Sequence, residues 1–354
     1  MEFYIMGFLA SLIISYFTVP ALRKFSFQVG ALDQPGKRKI NKKPIPNLGG
    51  IGIFLGFSIT VLVLLPLDSI SSGILMGGAI ILLLGIIDDF FELSPGVKLL
   101  GQIVAAAILI VYGIQIEFIT NPLGGMFYLG NWGIPLTILW VVALTNTLNL
   151  IDGLDGLAGG ITVIAVMTLF FVSLQEGQTL TAVLAIALAG SSLGFLRYNF
   201  PPAKIFMGDS GSMFCGYILA AISVAGALKS AAAVTFFVPL LALGVPIFDT
   251  IFAIIRRVYN NRPIGKADKG HIHHRLLALG WTQLEAVLIV YGISFFLGIM
   301  ALIINGTNLQ AGLLILVTVL ALLLYVGWKV GIFDLGLVSS EKSSQKSSLE
   351  KSNI

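Results

Sequence analysis

Apolar residues run along this chain in blocks of roughly 17 to 25, the length at which a helix crosses the hydrocarbon core of a bilayer. About eleven blocks are centred near residues 12, 58, 82, 107, 140, 165, 188, 220, 244, 294 and 320, the fifth and ninth interrupted by polar groups. The pattern predicts an all-α polytopic integral membrane protein with a single transmembrane domain over residues 1–335. The Ser/Lys-rich end, "SSEKSSQKSSLEKSNI", has too few apolar residues to bury, so residues 336–354 are expected to form a disordered tail. The first block begins with Glu2, lacks a basic leader and ends in Arg23 and Lys24; it reads as a retained span rather than a cleaved signal.

Composition agrees with the pattern. The chain is 57% hydrophobic and 11% charged, whereas soluble domains carry about 25% charged residues. If the spans alternate, twenty of the 21 Lys and Arg fall in loops on one side, leaving Lys229 opposite. By the positive-inside rule that side is cytoplasmic, which puts the N-terminus outside. The net charge of +4 is then a matter of topology. No basic-aromatic interleaving points to nucleic acid. Cys215 stands alone in an apolar stretch, so it forms no intrachain disulfide and is expected to pack. Between Gln115 and Trp132, two short β-prone runs flank Asn121, Pro122, Gly124 and Gly125, predicting a short hairpin on the outer face.

With this alternation, the conspicuous carboxylates and histidines converge on the cytoplasmic ends of spans. "LLLGIIDDFFELSP" closes the third span with Asp88 and Asp89, where an unpaired charge in lipid costs several kcal/mol. "NTLNLIDGLDGLAGG" closes the fifth with Asn146, Asn149, Asp152 and Asp155 at intervals of three, a drifting stripe on one helical face, followed by glycines that admit a ligand or second backbone. "FMGDSGS" sets Asp209 before the eighth span with Ser210 and Ser212 available as caps. These oxygens suit a hard cation such as magnesium, with manganese as the alternative; magnesium takes one or two carboxylates and completes its shell with water and phosphate.

The largest cytoplasmic loop carries His271, His273 and His274 with Arg262, Lys266, Lys269 and Arg275, suited to a polyanion such as a diphosphate. Zinc fits less well, because no Cys or second His group completes four ligands. In the first loop, Lys37 to Lys43 largely satisfy the positive-inside rule, with Lys43 a candidate phosphate contact. Asp249, inside the ninth span, reads either as functional or as a pairing with a neighbouring helix. Carboxylates, a magnesium site and phosphate-binding cations at one face describe phosphoryl transfer to or from a lipid.

The motifs "GGIGIFLG", "GIIDDFFELSPGVKLLGQ", "NTLNLIDGLDGLAGG", "KIFMGDSGSMFCGY" and "ADKGHIHHRL", in this order from about Asp33 to Trp281, closely resemble the polyprenyl-phosphate N-acetylhexosamine-1-phosphate transferases. The resemblance implies attack by undecaprenyl phosphate on the β-phosphorus of a UDP-N-acetylhexosamine, releasing UMP. It also implies magnesium, a cytoplasmic active site in the cell membrane, and a helical bundle that forms dimers among similar proteins. Carried over by position, Asp209 resembles the metal ligand with Asn149 a second. Asp155 and Phe206 resemble the uracil-binding residues, Lys98 the diphosphate-binding lysine, and Asp88 the base proposed to deprotonate the lipid phosphate. Glu92 and the run "HIHH" differ from the muramoyl-pentapeptide branch and place the chain with enzymes using a simple amino sugar, UDP-N-acetylglucosamine first. A rival reading, an ion-coupled transporter, rests on Asp249 alone: no inverted repeat is visible and the other ionisable groups sit at one face.

Overall fold

The computed structural model describes residues 1–35, 43–120, 125–229, 237–261 and 270–329. Lysines 37, 39 and 42, the hairpin residues Asn121, Pro122 and Gly124, Arg262, Lys266, Lys269 and the tail lie outside the described residues. The described elements are α1 (Glu2–Val29), β1 (Leu32–Asp33), β2 (Ile45–Pro46), α2 (Gly49–Leu64), α3 (Ser69–Phe91), α4 (Pro95–Val111), β3 (Phe118–Thr120) and β4 (Met126–Tyr128). There follow α5 (Gly133–Ile151), α6 (Leu157–Gln175), α7 (Thr179–Asn199), α8 (Gly208–Lys229), α9 (Phe237–Ala242), α10 (Gly244–Tyr259), α11 (Ile272–Ala278), α12 (Gln283–Asn305) and α13 (Leu309–Lys329).

All eleven apolar centres fall on helices, the ninth at the first residue of α10. Among the described residues eight helices are long and apolar enough to cross a membrane, and α2 and α4 are shorter apolar helices. The ninth block is broken at Leu243 into α9 and α10. Pro246 lies three residues past the break and has no N–H to return to the carbonyl of Ala242, so a continuous ladder could not run through it.

Burial ranks the helices. In the apolar window of α8, 89% of residues are buried, against 11% for α13. Hence α8 runs through the middle of the bundle, packed on α2, α3 and α5, while α13 touches little besides α12 and turns Leu314, Val317 and Trp328 outward. In lipid such exposed apolar side chains meet acyl chains. A second layer joins α7 to α1, α2 and α6, and α12 to α6 and α9.

Small residues set how closely the central helices approach. Gly50 of α2 and Gly85 of α3 both lie against the Ser210–Gly211 backbone, and a methyl group on either would overlap it. This close approach seats the first turn of α8 beside the end of α3, where Asp88 and Asp89 stand. Two small antiparallel pairs complete the described structure. β1 pairs with β2 around the first loop, and β3 with β4 in the register Phe118↔Tyr128, the expected hairpin.

Candidate active site

The site is built around the start of α8. Gly208 has φ +73°, and beyond it the backbone N–H groups of Asp209 and Ser210 donate to Asp89 Oδ1 and Oδ2 at 2.8 and 3.3 Å. A carboxylate from the last turn of α3 thus caps α8 from outside its own chain segment, with the charge sign that the positive end of a helix favours. The serines expected to cap do not: Ser212 Oγ donates to the carbonyl of Gly208, and Ser210 Oγ is buried without a partner.

The adjacent carboxylate has another task. Asp88 Oδ1 accepts the N–H of Leu93 at 2.7 Å, closing the end of α3, while Oδ2 pairs with Lys98 Nζ. Lys98, one turn into α4, also donates to Asp209 Oδ2 at 2.7 Å. From α5, Asn149 Nδ2 donates to Asp209 Oδ1 at 2.9 Å and to Ser212 Oγ at 3.0 Å. Accessibility separates the two acids that share Lys98: the Asp88 side chain is 3% exposed and that of Asp209 34%. Only Asp209 is open to a ligand.

Helix α5 ends at Ile151, so Asp152 and Asp155 lie in the turn that follows and not on a continued helical stripe. Gly156, with φ +77°, turns the backbone into α6, which it directly precedes. Asp155 Oδ2 accepts the N–H of Ala203 at 2.9 Å, and Asn199 bridges the Gly156 N–H and the Ile205 carbonyl at 2.9 and 3.0 Å. Phe206 is held by its backbone: its N–H donates to Pro46 O at 2.7 Å, and its carbonyl accepts from Gly49 at 3.1 Å. Asn146, the fourth polar residue of the stripe, is locked amide to amide with Gln102 of α4, Nδ2 to Oε1 at 2.6 Å. It ties two helices together one turn below the cavity.

These groups surround an open cavity of about 530 Å³, lined by Asp89, Asn149, Asp152, Asp155, Phe206 and Asp209, and by His274 on the side of α11. Residues that sequence reading passed over also line it: Asp33, Asn47, Asn199 and Gln283. Asn47 offered one signal, standing in "PIPNLGG" directly before the glycine pair that approaches α8; its Oδ1 is buried without a partner. Lys43 is exposed, two residues ahead of cavity-lining Ile45.

The histidines do not form the cationic trio expected. His271 and His273 are buried, and only His274 reaches the cavity. His273 packs on Gly153, and burial, then the neighbouring His274, push its imidazole down to about 3, so it stays neutral. Asp249, which favoured a transporter, is engaged: it accepts from His271 and from the Ile272 backbone. Among the described residues no group of three or more His, Cys, Asp or Glu is arranged to hold a metal by itself.

Electrostatics in the cavity are dominated by carboxylates. Burial first, then repulsion from Asp209, Asp89 and Asp155, push the Asp152 carboxyl up to about 8 from its ordinary 3.8. The folded protein therefore keeps a proton that the unfolded chain has released, so stability falls as pH rises between about 4 and about 8. Without divalent cations, the thermal midpoint in detergent is expected to drop across this range, and Asp152→Asn is expected to flatten the drop. An equal slope in the variant would refute the assignment.

Comparison with known proteins agrees with this chemistry. Residues 71–227 match the family described as Glycosyl transferase family 4. The chain is 42% identical over 314 residues, 88% of each chain, to the probable undecaprenyl-phosphate N-acetylglucosaminyl 1-phosphate transferase of Bacillus subtilis (strain 168). It is 35% identical to the decaprenyl-phosphate N-acetylglucosaminephosphotransferase of Mycobacterium tuberculosis (strain ATCC 25618 / H37Rv), over 80% of this chain and 78% of the relative. It is 31% identical to the phospho-N-acetylmuramoyl-pentapeptide-transferase of Clostridium botulinum (strain Eklund 17B / Type B), over 84% of this chain and 94% of the relative. With relatives this similar over most of their length and a carboxylate-lined cavity at one end of a helical bundle, the chain belongs to the polyprenyl-phosphate sugar-1-phosphate transferase family.

Proposed function

We propose that this protein transfers N-acetylglucosamine 1-phosphate from UDP-N-acetylglucosamine to undecaprenyl phosphate, at the cytoplasmic face of the cell membrane. The observation that carries the reading is the 42% identity, over 88% of both chains, to a relative named for that acceptor and sugar. The basic loops support the orientation. A phosphate oxygen of the lipid attacks the β-phosphorus of the donor, the bond from that phosphorus to the bridging oxygen breaks, and UMP leaves with the electron pair. Each substrate phosphate remains accounted for, and no water is consumed.

The residues divide the work by position. Phe206 offers a face for the uracil ring, and Asp155, with one oxygen already held by the Ala203 N–H, offers the other to a base N–H. Lys98 supplies a cation beside Asp209. Because Lys98 already pairs with Asp88 and Asp209, an incoming diphosphate must compete with carboxylates for it, which favours ligands of high charge. Magnesium fits the donor set, which is all oxygen and offers few protein ligands, as that ion requires when substrate phosphates complete its shell. Asp209 would hold it, joined by Asn149 once its amide turns the oxygen, in place of Nδ2, toward Asp209, and it would neutralise charge on the transferring phosphoryl group. Asp88 is not needed as a base, since a phosphate monoester with second pKa of about 6 is already largely dianionic at neutral pH.

Donor choice is tested by incubating the purified protein with undecaprenyl phosphate and each of UDP-N-acetylglucosamine, UDP-N-acetylgalactosamine and the UDP-muramoyl-pentapeptide. The lipid diphospho-N-acetylglucosamine is the expected product by mass spectrometry. Faster formation of either other product would reassign the donor.

A further inference from the structure

The segment Gly270–Arg275 is fastened to α10 at two points two helical turns apart. At the first, Asp249 Oδ2 lies 2.7 Å from His271 Nδ1, and its Oδ1 accepts the Ile272 N–H at 2.8 Å. At the second, the Arg256 guanidinium lies against Gly270, where a methyl group would overlap it. Arg275 Nε donates to the Gly270 carbonyl at 3.1 Å, which closes the segment on itself. Asp249, Arg256, His271 and His273 are all buried.

From Asp249 a series of ring contacts leads to the cavity. The His271 and His273 rings are nearly parallel, 5.8 Å apart with 5° between planes. His273 meets His274 at 4.3 Å with the rings tilted by 47°, and His274 lines the cavity together with the Asp152–Asp155 turn. A carboxylate can only accept, so the nitrogen facing it must carry the proton; Asp249 therefore fixes Nδ1–H on His271 and the plane of its ring.

We propose that Asp249 is a positioning residue for the transfer reaction: it sets the tautomer and plane of His271 and, through the stacked His273, places His274 in the cavity. This rests on the family's reaction but uses an acid the chemistry does not touch. It also explains a carboxylate inside a span without any ion passing through the protein. Both of its oxygens are engaged by α11 and its approach, so it belongs to the site's support.

Asp249→Asn keeps shape and can still accept from Ile272, but it cannot accept from His271 through its amide nitrogen. The chain has three histidines, so an ¹⁵N-imidazole spectrum of the labelled protein in detergent holds three spin systems, with His271 assigned by loss of its signals in His271→Gln. Expected in the wild type is a protonated His271 Nδ1, lost in Asp249→Asn, with kcat lowered about 10- to 100-fold, as for other groups that orient a histidine ligand or base. Asp249→Glu is expected to retain the proton and recover part of the kcat. A wild-type His271 with Nδ1 unprotonated would overturn the proposal, and that reading needs no variant to fold. So would a folded Asp249→Asn with wild-type kcat, or one with lowered kcat and the proton still on Nδ1. Absence of turnover in the wild type with Nδ1 protonated would instead count against the proposed substrates.

Discussion

Asp209→Asn is expected to lower turnover about 1000-fold and Asp88→Asn only about 10-fold, at equal amounts of folded protein. The larger loss corresponds to about 4 kcal/mol of transition-state stabilisation. The asymmetry follows from exposure and partners. Asp209 is the acid of the pair open to the cavity, and Lys98 from α4 and Asn149 from α5 both converge on it. Asparagine at 209 turns one oxygen into a donor facing the Lys98 ammonium, so the cation loses a partner where phosphate charge must be balanced. Asp88 is almost wholly enclosed, with one oxygen on the Leu93 N–H and the other on Lys98. Asparagine there can still accept from Leu93, and Lys98 keeps Asp209. Equal losses in the two variants, measured as initial rates of UMP formation, would restore Asp88 to a role in proton transfer.

Asp89→Asn is expected to damage stability and turnover together. Its two oxygens accept the N–H groups of Asp209 and Ser210 in the first turn of α8, and an asparagine has one acceptor to offer two donors. The N–H left unpaired at a buried helix start costs about 1 to 3 kcal/mol. The same change lets the Asp209 backbone drift, and a misplacement of about 1 Å in a positioned group can reduce turnover about 100-fold. A lowered thermal midpoint with a matching loss of kcat is the expected outcome. A variant with full stability and a lost kcat would instead mean that Asp89 contacts substrate directly.

The bundle was legible because its signal is local: a run of apolar residues long enough to cross a bilayer needs no partner to be recognised, and each of the eleven centres met a helix. The break at Leu243 was only half legible. The interruption in the ninth block was visible, but the missing Pro246 N–H is what divides α9 from α10. Which acids gather at one end was legible too, through the alternation of spans. Their division of labour was not. Asp88 and Asp89 are neighbours in sequence, yet one is spent on Lys98 and the other on the start of α8, residues that no periodicity connects to them. The stripe from Asn146 to Asp155 misled for a related reason. Spacing by three assumes a continuing helix, but α5 ends at Ile151 and α6 starts only after Gly156, so the two aspartates stand on the turn between them. His273 shows the limit most plainly: a histidine in a basic loop reads as a cation, but burial against Gly153 keeps it neutral.

The most direct test is UMP release by the purified protein from UDP-N-acetylglucosamine, with and without undecaprenyl phosphate and magnesium, beside Asp209→Asn. Release in the wild type that requires both additions, and is lost in the variant, is the result predicted. Release without the lipid, or at an equal rate in Asp209→Asn, would contradict the transfer reaction and the place assigned to Asp209 within it.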